Sequence, residues 1–392
     1  MPHHNRFRHQ QYGVPPPREQ LEFLHPAAPV AMESDEWRQG MAAVGAALRA
    51  HRVAAIYLIH GTFVGDDTLG IVRLLERCWT TLGHDLRKYE KRLADRLVRD
   101  SGNYTWEYAQ QFEREINQDE SGAPVELSRR IPVRMLTWSS ANHHLGRADG
   151  AVRLFNELSG LKLSPGQRLL LWGHSHGGNV LALLSNLLGS EPAERERFFQ
   201  AARDYYQSKL TSDELRQPWL RAKERLLTAA HPLTHIPLDM VTFGTPIRYG
   251  WDTGGYTQLL HFLFHRAIAG LEPWETRFPF SLRSALAARR GDYIQQVGIA
   301  GSNFPPAIVD WGLHRADAQL GRVLQTDLPR GNLWSRLRAG QRAPDEGRTL
   351  LIDYEQAGRL LRSAFGHAIY TRQRWLLYHA AEVVRCFYGA TS

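Results

Sequence analysis

Apolar residues along the chain fall into short unbroken runs separated by longer amphipathic stretches. The first run is Val53–Ile59, read Val-Ala-Ala-Ile-Tyr-Leu-Ile, the composition of a strand covered by helices on both faces. Further strands are predicted at Ile131–Trp138, Arg168–Trp172, Leu238–Phe243, Tyr293–Ile299 and Thr349–Tyr354. Pro132 fits the second of these because the first residue of a strand need not donate to the ladder. Helical periodicity marks Glu36–Arg49, the charged stretch from Thr68 towards Gln118, Arg147–Leu158, the segment after Gly178, and Arg372–Phe387. Tyr256–Ile268 carries Leu259, Leu260, Phe262, Leu263 and Phe264. It reads as a helix, either covering the sheet or presenting an apolar ligand-facing surface as part of a lid. Strands alternating with helices predict an α/β fold with a mostly parallel central sheet and helices on both faces.

The same pattern divides the chain. Residues 1–30 are rich in Pro, His, Arg and Gln, include Pro15-Pro16-Pro17, and read as an extended N-terminal arm. Residues 31–190 and 236–392 form the two parts of a core. Between them, residues 191–235 are charged and helical with no strand signal, a helical insertion in the place where a lid would sit. His231 and His235 have helical metal-pair spacing, but Pro232 and Pro237 break the helix such a pair needs.

The most informative stretch is Gly173-His174-Ser175-His176-Gly177-Gly178, where the strand Arg168–Trp172 meets the following helix. A sharp strand-to-helix turn leaves no room for side chains on either side of its central residue, and Gly173 and Gly177 meet that demand. Gly178 lets the helix lie close on the sheet. Ser175 Oγ would then stand at the carboxyl edge of the sheet, where free N–H groups at a helix start favour a developing oxyanion.

This segment resembles the G-H-S-x-G-G nucleophile elbow of the α/β-hydrolase superfamily, in its lipase- and esterase-like members. His60-Gly61-Thr62 after the first strand resembles the family's oxyanion segment. Phe243-Gly244-Thr245-Pro246 resembles the F-G-x-P strand end of lipase-like members, and Gly366-His367 stands after the last strand, in the place of the catalytic histidine. The resemblance covers roughly residues 50–190 and 236–392. It implies an α/β-hydrolase fold with a helical cap insertion and a serine ester hydrolase acting through an acyl-enzyme on Ser175. Ser175 would be the nucleophile and His367 the general base, and the N–H groups of Thr62 and His176 would form the oxyanion hole. The acid is expected after the penultimate strand, where Asn303 stands; an amide can orient a histidine, though it stabilises imidazolium less well than a carboxylate. Asp252, Asp310 and Asp353 are the alternatives. Acyl transfer or thioester cleavage would use the same acyl-enzyme. A hydrolase-fold binding module without turnover would fit an amide at the acid position and the basic, signal-less chain.

Composition adds bounds. The 392 residues are 43% hydrophobic and 22% charged, as in an ordinary globular protein. The two cysteines, Cys78 and Cys386, are too few for a disulfide framework. The first eight residues carry no apolar signal core, and no apolar run is long enough to span a membrane, so a cytoplasmic protein is expected, with signal-independent export left open. The net charge of +8 is spread along the chain, which leaves peripheral membrane contact open, while no nucleic-acid motif appears. No metal or cofactor is expected, and the expected partner is a small-molecule or lipid ester.

Overall fold

The computed structural model describes residues 18–61, 103–208, 211–228, 231–277, 288–299, 311–324, 342–354 and 364–389. Within them lies one sheet of seven strands: β1 (Leu21–Leu24), β2 (Val53–Ile59), β3 (Val133–Met135), β4 (Arg168–His174), β5 (Leu238–Phe243), β6 (Gln258–Phe264) and β7 (Arg348–Ile352). Their order is β1-β7-β6-β5-β4-β2-β3, and every pairing is parallel. Parallel neighbours cannot be joined by a tight turn, so helices carry the crossovers and cover the faces.

Strand alternation splits each run between two cores. In β4, Leu169 and Leu171 join one core, while Leu170 and Trp172 join the other. In β2, Tyr57 and Ile59 face the first, and Ile56 and Leu58 the second. Helices α3 (His144–Ser159) and α4 (His176–Gly189) cover the first face. Helices α1 (Asp35–Ala50), α2 (Trp106–Ile116) and α10 (Leu376–Phe387) cover the second. After β2 the chain adds β3 on one side and then returns to lay β4 on the other. That reversal opens a crevice at the carboxyl ends of β2 and β4, the general position of ligand sites in such sheets.

Three sequence expectations change. Tyr256–Ile268 is not a helix: its centre is strand β6, paired with β5 from Asp239↔Gln258 to Phe243↔Phe262 and with β7 from Leu260↔Arg348 to Phe264↔Ile352. A run buried on both faces has no periodicity to separate strand from helix. Tyr293–Ile299 is not a strand but a short helix, α8, between β6 and β7. The end of the N-terminal arm also enters the sheet, with Leu21–Leu24 pairing along Thr349–Ile352 as its edge strand.

The 191–235 insertion forms α5 (Pro192–Ala201), α6 (Arg203–Gln207) and α7 (Asp213–Leu226). Phe198, Phe199, Tyr206 and Trp219 are fully buried in the first core. Trp219 is stacked between Phe198 and Tyr206, and its Nε1–H donates to Asp149 Oδ1 on α3 at 2.8 Å. Arg195 donates to the carbonyl of Leu188, close to the far end of α4 and roughly 20 Å along that helix from its start. These helices act as a packed outer layer on α3 and the distal end of α4. Helix α9 (Trp311–Leu324) joins the same side, with Asp317 Oδ1 accepting from Leu145 N–H at 2.8 Å. No described helix is long and apolar enough to cross a membrane.

Buried histidines give the fold a pH dependence. Burial pushes His261, His265 and His379 down to about 3 from an ordinary 6.5. The unfolded chain protonates these rings near pH 6.5, whereas the folded chain does so only near 3, so unfolding takes up protons in that window. Stability is therefore full above about pH 6.5 and falls steadily as the pH drops towards 3. Urea titrations at pH 7.5, 6, 5 and 4 should show a progressive loss of midpoint with proton uptake on unfolding; a flat midpoint from 7.5 to 4 would contradict these burials.

Candidate functional site

Ser175 links β4 to α4 in a backbone conformation, φ 53° and ψ −128°, that side-chain-bearing residues rarely adopt. Its surroundings hold it there. Ser175 N–H donates to the Phe243 carbonyl at 2.8 Å, and Ser175 C=O accepts from Gly178 N–H at 3.0 Å and from the Thr245 hydroxyl at 2.9 Å. The glycines serve these contacts. A Cβ on Gly173 would press on the amide of Gly178, one on Gly177 would strike the Ile59 carbonyl, and one on Gly178 would strike Thr245. Gly61, just past β2, lies so close that a Cβ there would stand 2.7 Å from Ser175 Cβ. The end of β2 and the serine turn thus meet across the crevice.

His367 reaches this point from beyond β7, although β5 and β6 separate β7 from β4. Gly366, at φ +84°, makes the return: a Cβ there would stand 2.7 Å from the Gly291 carbonyl. The His367 ring lies 4.6 Å from that of His174, and its carbonyl accepts weakly from His174 Nε2–H at 3.4 Å. His367 thus packs against His174, the residue before Ser175. Ser175 and His367 are almost fully buried, at 1% and 3% exposure.

The partner of His367 is Asp292. His367 Nδ1–H donates to Asp292 Oδ2 at 2.7 Å, with both side chains buried. Asp292 was not among the residues singled out by sequence. Asp292 follows β6, the penultimate strand, whereas a strand at Tyr293–Ile299 places the expected acid at Asn303. Asn303, Asp310 and the oxyanion candidate Thr62 lie outside the described residues. Asp252 caps the turn near the far end of α4, with Oδ1 accepting from Gly254 N–H at 2.9 Å. Asp353 pairs with Arg266 at 2.6 Å. Neither serves His367. A usable signal was present: Asp292 followed three residues later by Gln295 is an N-cap pattern, and Asp292 Oδ1 accepts from Gln295 N–H at 2.9 Å.

The serine turn and the acid are joined by one chain of hydrogen bonds. Thr245, bonded to the Ser175 carbonyl, accepts at its own carbonyl from Gln295 Nε2 at 3.2 Å, and Gln295 sits on the turn that Asp292 caps. Gly244, at φ +57°, lets Tyr370 and the Asp292 carboxylate close on the β5 end. Arg342, fully buried, clamps the acid's loop by donating to the carbonyls of Phe264 at 2.6 Å, Arg290 at 3.2 Å and Asp292 at 3.1 Å.

Other imidazoles crowd the turn but have different employment. Burial holds His174 and His176 well below the ordinary imidazole range, helped by the charge of His367 on the first and of Arg147 and Arg248 on the second. His176 Nδ1 accepts from Asn179 Nδ2 at 3.1 Å. His60, also lowered by burial, donates from Nδ1 to the Gly61 carbonyl at 3.0 Å and stacks on Trp138. The Gly61 N–H is engaged by Asn103 Oδ1 at 3.2 Å. His176 heads α4, whose first amides face the serine turn. Among the described residues no group of three or more His, Cys, Asp or Glu side chains is arranged to hold a metal ion.

The molecule is thus an α/β protein with a parallel sheet and a buried serine, histidine and aspartate gathered at the carboxyl edge of its central strands. Comparison with protein-family models, curated proteins and solved structures returns no match.

Arg342 should be essential to the acid's loop. Replacing it with Met keeps most of the volume but strips donors from three carbonyls, a loss of about 3 kcal/mol of folding stability. Denaturant titration of Arg342→Met against Arg342→Lys should show the lysine only partly restoring stability, because one ammonium cannot reproduce the fork. A loss below about 1 kcal/mol for Met would show that the clamp is dispensable.

Proposed function

We propose that the protein is a serine hydrolase of the α/β-hydrolase fold, lipase- or esterase-like, that cleaves a carboxylic ester through an acyl-enzyme on Ser175. The observation that carries this reading is the buried Asp292–His367 pair, at 2.7 Å, set against a serine in a strained strand–helix turn. A hydroxyl is a poor nucleophile until a base removes its proton. In this reading His367 Nε2 accepts the Ser175 proton as Oγ attacks the ester carbonyl. Asp292, bonded to Nδ1–H, fixes the tautomer and stabilises the imidazolium. The proton then passes to the departing alkoxide, leaving Ser175 acylated, and water activated by the same imidazole releases the acid. The amide of His176 at the head of α4 is one oxyanion donor and that of Thr62 the expected second, such donors contributing about 3 kcal/mol each to barrier lowering.

Two earlier expectations weaken. A lid helix at Tyr256–Ile268 would favour a lipid-like acyl chain, but that segment is an interior strand whose Leu260, Phe262 and Phe264 fill the core. A hydrolase-fold module without turnover draws on an amide at the acid position and on the basic, signal-less chain, and the carboxylate of Asp292 beside His367 bears against the first of these. Transfer to an acceptor other than water, or thioester cleavage, would proceed from the same acyl-enzyme.

A fluorophosphonate probe should label the wild-type serine and leave Ser175→Ala unlabelled. Asp292→Asn should keep the fold while lowering kcat on a chromogenic ester by about 10²–10⁴-fold, and Asn303→Ala should leave kcat within about threefold. Labelling of wild type and Ser175→Ala alike, or of neither, would overturn the assignment. Turnover across chain lengths from acetyl to palmitoyl then separates short-chain esters from lipids.

A further inference from the structure

The end of the sheet opposite Ser175 holds a second feature. A cleft of about 790 Å³ opens where Val53 begins β2 and Gln167 precedes β4. Four guanidinium groups from separate parts of the chain line it: Arg49 at the end of α1, Arg52 in the turn after it, and Arg129 and Arg130 ahead of β3. Two of them are fixed by backbone. Arg49 Nη1 donates to the Ile116 carbonyl at 2.6 Å, and Arg130 Nε donates to the Val125 carbonyl at 3.1 Å. The side chains of Arg52 and Arg129 make no hydrogen bond or ion pair among the described residues. Arg52 is held at φ 61°, with its guanidinium lying against Gly166.

Two carboxylates, Asp119 and Glu120, share the lining with the four guanidinium groups and offset only part of their charge. Asp119 closes its own turn, its Oδ1 accepting from Ser121 N–H at 2.9 Å, Ser121 Oγ–H at 2.6 Å and Ala123 N–H at 3.0 Å. Glu120 points to solvent at the rim. Burial, and then the charge of Arg129, pull the Arg49 guanidinium below its ordinary range, so the cations sense one another. Gathering like charges around a recess costs energy that a bound anion would offset. Arginine forks suit phosphate oxygens in pairs, and the recess is of small-ligand size.

We propose that this cleft is a binding site for a small ligand bearing two phosphate groups, which Arg49, Arg52, Arg129 and Arg130 engage from both sides. The site is independent of the ester-hydrolase reading. Its ligand would sit at one end of β2 while Gly61, past the other end, touches Ser175.

The test is calorimetric titration of the full chain with pyrophosphate at low ionic strength, alongside sedimentation with phosphatidylcholine vesicles with and without phosphatidylinositol 4-phosphate. Arg52→Gln with Arg129→Gln removes two exposed, unbonded cations and should preserve the fold. Arg221→Gln with Arg225→Gln, both exposed on α7, makes the same charge change elsewhere. The expected result is saturable pyrophosphate binding, weakened on the order of tenfold or more by the first pair and changed less than about twofold by the second. Vesicle retention that depends on the phosphoinositide and is lost with the first pair places the phosphates on a lipid headgroup. Pyrophosphate binding without retention places them on a soluble molecule. Failure of wild type to bind either probe, or equal weakening by both pairs, would overturn the site.

Discussion

Everything at the carboxyl edge of this sheet depends on one peptide segment bent more sharply than side chains tolerate. Ser175 occupies a region of backbone space that costs of order 1–3 kcal/mol and persists only when its neighbours overdetermine it. Here they do so from three directions. The end of β5 takes its amide, Thr245 and Gly178 satisfy its carbonyl, and Gly61 approaches its Cβ from β2. The glycines at 61, 173, 177 and 178 answer this crowding, because each gives way to backbone or side-chain atoms that a Cβ would displace. The strand order belongs to the same constraint: β2 and β5 flank β4, so the chain must leave β2, build β3 outward and return before the turn can be clamped on both sides.

The carboxylate at the site is held by an economy of lone pairs. Asp292 Oδ1 caps α8 while Oδ2 accepts the hydrogen bond from His367 Nδ1–H, so rotation of the carboxylate would break both bonds at once. Its main chain is fixed as well, with its N–H donating to the Phe264 carbonyl at 3.0 Å and its C=O accepting from Arg342 at 3.1 Å. Helix capping, ordinarily a matter of local stability, here aims a side chain. Because Gln295 also binds Thr245, a displacement of the acid would be felt at the serine carbonyl.

How much of this was legible follows from how each segment is buried. Val53–Ile59, Arg168–Trp172 and Leu238–Phe243 were readable because each continuous run ends in glycine-bearing turns. The serine turn was readable because crowding leaves a spacing of glycines in the sequence. Gln258–Phe264 was not: Leu and Phe fit a helix as well as a strand, and burial on both faces erases the period that would decide. Tyr293–Ile299 misled in the opposite sense, since isoleucine, valine and tyrosine favour strands, while the capping pattern of Asp292 and Gln295 that makes it a helix is a two-residue signal. That exchange of two elements places the sequence expectation at Asn303 and not at Asp292, the residue that bonds His367. Arg342 gave no sequence signal, for its role lies in carbonyls brought together only by the fold.

Histidine chemistry near Ser175 is decided by partners more than by proximity. The chain carries 18 histidines, and His60, His174 and His176 lie closer in sequence to the serine turn or its facing loop than His367 does. Burial lowers all three, which keeps them neutral. A neutral ring can pack or accept a hydrogen bond, but a base must also carry the proton it takes, and in a buried site that cation needs an anion beside it. His60 donates to a peptide carbonyl, His174 to the backbone of His367, and His176 accepts from an amide. Of these four, His367 alone meets a carboxylate among the described residues. The ring that comes from furthest along the chain is therefore the one seated on a carboxylate, and the ring of His174 packs beside it.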